Sequence, residues 1–303
     1  MPVLSKHFIQ PSYHNIGFAH SAAESARSLD WDGLVGLWLP TLGPSGLTLR
    51  DWSGYGNHGS LVSMVEATDW VLDGELGYVL NYDATDNNVK MGDNGPLPGL
   101  GDGSFTLSAW FKTSNTSKAF MQIVTRDNNT DQGAEGRRLL AISATDASSR
   151  TPEFVIFDGT NIPRATATLN YDDGNWHHIV GVRDVEADVL ILYMDGNAEI
   201  ISVEDSTTTS INTARHVFYI SNTNDLDTFP GEFDGSIGPV RIYNRVLTPS
   251  EVLEQYFDPY GIVRQKRPLI VRIEDAISVP VVGQPFYILD GRYLPDFISI
   301  RQI

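Results

Sequence analysis

The 303-residue chain contains no cysteine, which removes disulfides, thiolate metal sites and a cysteine nucleophile together. The redox compartment stays open, because a chain without thiols is compatible with either. Basic residues are scarce: 21 Lys and Arg stand against 38 Asp and Glu, a formal charge of -17. Affinity for nucleic acid comes mainly from Lys and Arg displacing counterions from phosphates, so this balance argues against a nucleic-acid partner. No apolar run approaches a membrane span, so no membrane partner is expected, and Met1 to Pro11 lacks the continuous apolar core of a secretory signal. We therefore expect a protein made in a cytoplasm and released by a route other than general secretion. Helical periodicity is nearly absent as well, which turns attention to strands.

What is present is enough for a substantial core, with 41% apolar and 10% aromatic residues. Leu34 to Leu39 reads as a buried strand stopped by Pro40, and Asp51 to Gly59 as a turn-rich loop. Further strands are expected over 60–65, 77–82, 89–91, 121–125, 139–143, 154–157, 177–183, 190–194 and 216–220. Ser104 to Lys112 alternates strictly. Phe105, Leu107, Ala109 and Phe111 face one way, and Ser104, Thr106, Ser108, Trp110 and Lys112 the other, the pattern of a half-buried strand. A dozen short strands separated by Gly, Asn, Asp and Thr predict an all-β, antiparallel sandwich or barrel. One helix is expected near the end of this region. Thr248 can cap it, Pro249 fits its first position, and Glu251 can close a capping box.

The sequence divides into an extended N-terminal arm at 1–32, a β domain at 33–260 and a β-rich C-terminal tail at 261–303. Arg264, Lys266 and Arg267 read as a solvated linker into the tail, whose three or four strands are too few for an independent core. Arm and tail are expected to hold protein partners, either other copies of the chain or a capsid.

Five motifs in order carry a family resemblance: Asp51-x-Ser53-Gly54-x-Gly56-Asn57-His58-Gly59, Tyr78 to Asp83, Phe105 to Trp110, Trp176-His177-His178 and Val240 to Leu247. Together they resemble the laminin-G-like branch of the concanavalin A-like lectin/glucanase jelly rolls over about residues 33–258. The resemblance implies a jelly roll of two curved antiparallel sheets whose concave face or rim loops bind glycans or proteins. It also implies, for some members, a structural calcium ion. Here the last strand carries Gly238 and Pro239 where relatives commonly have an acidic residue, which weakens the calcium inference. Asp51, Asn57 and Asp234 remain the oxygen-bearing candidates for calcium, although turn chemistry also accounts for them.

Trp52, Tyr55, Tyr171 and Phe229 lie in expected loops, where a flat ring can stack on a sugar or plug the core. Asn224, Asp225 and Asp227 form an acidic loop able to hydrogen-bond sugar hydroxyls. A glycosidase needs two carboxylates flanking the scissile bond. No Glu-x-Asp-x-x-Glu string of the glucanase type occurs, and Glu186 with Asp188 reads as a hairpin surface pair. His177 and His178 point to opposite sides of a regular strand, one half-buried near Trp176 and the other toward solvent, so they cannot share a metal. The expectation is therefore a non-enzymatic adhesion or structural protein on a virion surface, a phage head decoration or accessory protein that binds glycans. A free lectin module, which would be extracellular, and a glucanase-like hydrolase are the alternatives.

Overall fold

The computed structural model describes residues 29–91, 97, 100–128, 136–144, 150–212, 216–221 and 231–263. The chain divides into two compact units, Met1–Gln265 and Lys266–Ile303, and every described residue lies in the first. Its strands are, in order, β1 (Leu34–Trp38), β2 (Thr48–Leu49), β3 (Gly59–Val62), β4 (Trp70–Asp73), β5 (Gly77–Asp83) and β6 (Asn88–Met91). There follow β7 (Phe105–Lys112), β8 (Phe120–Asn128), β9 (Arg137–Ala144), β10 (Arg150–Phe157) and β11 (Arg164–Thr166). The last are β12 (His177–Asp184), β13 (Val189–Met194), β14 (Glu199–Glu204), β15 (His216–Ser221) and β16 (Asp234–Tyr243). Two short α-helices interrupt them, α1 (Glu66–Asp69) and α2 (Pro249–Phe257), and no helix among the described residues is long and apolar enough to cross a membrane.

The strands form two antiparallel sheets, as the alternating patterns predict. The first runs β14-β13-β12-β7-β16-β5-β4, with β1 also on β16, and the second runs β11-β10-β9-β8-β15-β6-β3-β2. Phe105, Leu107, Ala109 and Phe111 of the first sheet share the central core with Leu140, Phe154, Phe218 and Val89 of the second. Strand β16 changes neighbours along one edge. It pairs with β5 through Ile237 and with β1 from Val240 on, and the β-bulge between these two residues contains Gly238 and Pro239.

Strand β7 departs from the half-buried expectation, since only Lys112 escapes full burial. The reason is a second apolar cluster on the outer face of the first sheet, built from Leu37, Trp110, Tyr243, Leu247 and Val252 among others. Helix α2 helps to close it, with Trp110 stacked on Tyr256 and Ser108 Oγ donating to Gln255 Oε1 at 2.9 Å. The helix itself starts as its sequence predicts. The Thr248 hydroxyl accepts from Glu251 N, and Thr248 N donates to Glu251 Oε2 at 2.8 Å. Such a cap contributes roughly 0.5–2 kcal/mol.

The sandwich also reaches past the expected limits of 33 and 260. Trp31 packs on the second cluster and Ile262 and Val263 are buried in it, so both ends of the domain close the outer face of the first sheet. Positions 1–28 of the arm and 264–303 of the tail lie outside the described residues.

Candidate functional site

The loop joining β1 to β3 is organised by one carboxylate. Asp51 Oδ1 accepts from Leu37 N at 3.1 Å and Ser53 N at 2.8 Å, while Oδ2 accepts from Ser53 Oγ and Asn57 N, both at 2.8 Å. Its backbone N–H donates to His58 Nδ1 at 3.0 Å, and Trp38 Nε1 donates to Asn57 O at 2.9 Å. These bonds fix the backbone on either side of Trp52, whose own N–H donates to Leu37 O at 2.7 Å. The Trp52 side chain is thereby held against the second cluster with part of its surface exposed.

Beside it opens a shallow cleft of about 340 Å³, its mouth included, lined by Leu39, Leu42, Leu49, Arg50, Trp52 and Trp70, with Gly43 and Ser45. Trp70, 6% exposed, is anchored by donation from Nε1 to Gly46 O at 3.1 Å. The Arg50 guanidinium lies 4.7 Å from the centre of the Trp52 ring, a cation–π contact. The walls thus combine aromatic, aliphatic and polar groups.

Of the residues expected to bind, the structure places Trp52 in this cleft. Tyr55 sits three positions on, 54% exposed, and is not among the lining residues. Tyr171 does not line this cleft: its ring is 6% exposed, packed edge-on to His177 and joined to the central core, where it plugs the sandwich. Asn224, Asp225, Asp227 and Phe229 lie outside the described residues.

The calcium set is corrected, because Asp51, Asn57 and Asp234 do not converge. Asp51 bridges to Trp38, which pairs with Val240, whereas Asp234 begins the same strand six residues earlier and pairs with Asp83. At about 3.3 Å per residue the two acids are roughly 20 Å apart. A carboxylate offers about four lone-pair sites, and Asp51 uses as many on internal donors. Asp234 accepts from Asn115 Nδ2. Among the described residues no three His, Asp or Glu side chains gather as a metal site requires, and these residues do not fit calcium.

Arg50 and Trp70 are the site residues that sequence reasoning passed over. Trp70 opens a four-residue strand directly after a single helical turn, too short for either periodicity to register. Arg50 sits two positions before Trp52, so a strand-like spacing that puts both side chains on one side was the available signal.

A family model described as the concanavalin A-like lectin/glucanases superfamily matches residues 83–253, more than half of the chain. The chain belongs to this superfamily. Among solved structures it is similar to the binding domain of Paraclostridial Mosquitocidal Protein 1, at 17% identity and a TM-score of 0.55, covering 76% of this chain and 53% of that one. It is also similar to the binding domain of botulinum neurotoxin DC in complex with SialylT, at 14% identity and a TM-score of 0.54, covering 75% and 52%. A third is Trypanosoma rangeli sialidase, at 15% identity and a TM-score of 0.51, covering 76% and 33%. The match thus spans about half the length of the two toxin domains and a third of the sialidase, and at these identities it concerns the fold. No curated protein sequence matches the chain.

Glucanases of this superfamily would need paired acids on one sheet face. On the outer face of the second sheet, beside Ala141 and Val155, lies Glu153. It is 1% exposed and ion-paired with Arg164 at 2.8 Å. Burial pushes its carboxyl up, and Arg164 pulls the other way. Of the two histidines of this lectin-like jelly roll, His177 is half-buried as expected, but the other does not face solvent. His178 is fully buried, stacked on Trp110, with Nε2 3.0 Å from Ser108 Oγ, a pair with no access for substrate.

His177 is clamped instead, with Nδ1 2.9 Å from Asp195 Oδ2 and Nε2 2.9 Å from Asp173 Oδ1. Burial alone would lower its pKa, but the hydrogen bonds and charges of Asp195 and Asp173 outweigh it and hold the imidazolium above the ordinary histidine range. A raised folded-state pKa stabilises the fold fully below the unfolded value of about 6.5, and that contribution disappears as pH rises through the folded value. The melting temperature of the native chain should therefore fall relative to His177→Gln as pH goes from about 6 to about 9. A difference between the two melting curves that stays flat over that range would refute the clamp.

Proposed function

We propose that this jelly roll is a non-catalytic carbohydrate-binding module displayed on a virion surface. The observation that carries the binding role is the cleft in which the Asp51-braced loop sets Trp52 beside Trp70 and Arg50. Indole rings match the apolar face of a pyranose, and a ring fixed by its backbone loses little entropy on binding. The complex of the botulinum neurotoxin DC binding domain with SialylT, a protein of similar fold, supports the same reading. The non-catalytic part is supported by Glu153, a buried carboxylate already paired with Arg164, whereas a glycosidase needs two acids that reach the substrate. The display part rests on the sequence, whose arm and tail flank the sandwich as segments suited to assembly contacts.

A glycan array probed with the full chain should show a bounded set of bound sugars. Trp52→Ala should weaken the best of them about tenfold or more, the size of about 1.4 kcal/mol of lost contact. Because Trp52 also packs on the second cluster, melting curves of Trp52→Ala and Trp52→Phe separate lost binding from lost folding. Silence of the native chain across the array would reject the proposal. For the display part, antibodies against the sandwich should label intact particles of the encoding virus, and labelling confined to infected cells would reject it.

A further inference from the structure

We infer that the cleft selects a carboxylated sugar, anchored by Arg50. The inference rests on the carbohydrate-binding role proposed for the same cleft and adds the chemical class of its ligand. It begins with how the other arginines are used. Arg126, Arg138, Arg150 and Arg241 donate to backbone carbonyls, and Arg164, Arg183 and Arg245 pair with carboxylates. Arg50 does neither: its one contact among the described residues is the face of Trp52.

The neighbouring acid, Asp51, cannot turn toward Arg50 without giving up the four donors that hold the loop. The cation–π contact with Trp52 holds the guanidinium at the rim of the cleft. A planar fork of donors matches a carboxylate in two parallel hydrogen bonds, and little rotamer entropy remains to be lost. The surrounding field works against indiscriminate capture. A net charge of -17 repels anions in general, so an anionic ligand is held only where a fixed cation meets its charge at contact distance. The exposed part of Trp52 would supply apolar contact to the sugar ring, and Arg50 the recognition of its acid.

The test pairs oligosaccharides ending in sialic or glucuronic acid with their neutral methyl esters, measured by titration calorimetry against the full chain, Arg50→Gln and Arg50→Lys. The native chain should bind the acids about tenfold or more tighter than the esters, the usual scale of one charge-assisted contact. Arg50→Gln should weaken the acids far more than the esters and so erase that difference, and Arg50→Lys should restore part of it. Arg50 is exposed, so melting temperatures should stay near that of the native chain. Equal binding of acids and esters by the native chain would overturn this inference and leave the carbohydrate-binding proposal standing. Equal loss of both in Arg50→Gln would also overturn it, showing that Arg50 only props Trp52. Absence of binding to every sugar would overturn the underlying proposal along with it.

Discussion

Replacing Gly235 with alanine should unfold the protein. A Cβ at this position would lie 2.2 Å from Lys112 O and 3.1 Å from Thr113 Cα, backbone atoms that cannot swing aside as a flexible side chain does. Its φ of +134° adds a conformation that L residues rarely adopt, costing roughly 1–3 kcal/mol by itself. Relieving the contact means moving β16 away from β7, which disrupts the pairing of Ser236 with Lys112 and the donation from Thr113 Oγ1 to Asp234 O at 2.6 Å. The combined loss should reach about 4 kcal/mol or more, close to the lower end of a typical domain's whole stability of about 5–15 kcal/mol. Gly54→Ala separates backbone conformation from collision, since Gly54 also has a positive φ, +94°, but nothing within 4 Å of its added Cβ. Denaturant unfolding of both variants decides the matter: Gly54→Ala should lose about 1 kcal/mol, and an equally mild Gly235→Ala would contradict the register of β16 on β7.

Features whose cause is local could be read from the sequence, and those created by contacts between distant segments could not. The cap of α2 needs only Thr248, Pro249 and Glu251, so four adjacent positions predicted it correctly. The inward residues of β7 were equally legible, because alternation is a property of the strand alone. Its other face was not: Thr106, Ser108 and Trp110 look solvent-facing until a segment more than 130 residues later covers them, Thr106 by Arg245 and Leu247 and the other two by Gln255 and Tyr256 of α2. His178 was misjudged for the same reason, being buried under that helix beside Trp110. In the candidate site Trp52 was visible as an aromatic in a turn-rich loop. Trp70 was not, since its place in the cleft depends on the crossover through α1 from the second sheet to the first. Tyr171 carried the same signal as Trp52, and only the packing around His177 tells a plug from an exposed wall.

Asp51→Ala should destabilise the sandwich by about 3–5 kcal/mol, the second large effect, and the chemistry of that loss separates a brace from a metal ligand. Removing the carboxylate orphans three backbone donors and one hydroxyl, and the N–H groups of Leu37 and Asn57 are on buried residues that water cannot easily reach. Each buried donor left unpaired costs about 1–3 kcal/mol. Asp51→Asn is close in shape but replaces one acceptor oxygen with an amide donor. Whichever way the amide turns, its NH2 faces two of the four groups that donate to Asp51, so most of the loss should persist. Ser53→Ala removes only the hydroxyl donation and should cost about 1 kcal/mol. A calcium ligand would behave differently, because withdrawing the ion would reproduce the effect of the mutation and adding it would raise the melting temperature through its binding energy. With its lone pairs engaged by Leu37, Ser53 and Asn57, Asp51 should make the native chain indifferent to chelator and to added calcium, while Asp51→Ala melts far lower in both. A chelator-induced drop of comparable size in the native chain would return Asp51 to the metal role and require the loop around Trp52 to be held by an ion.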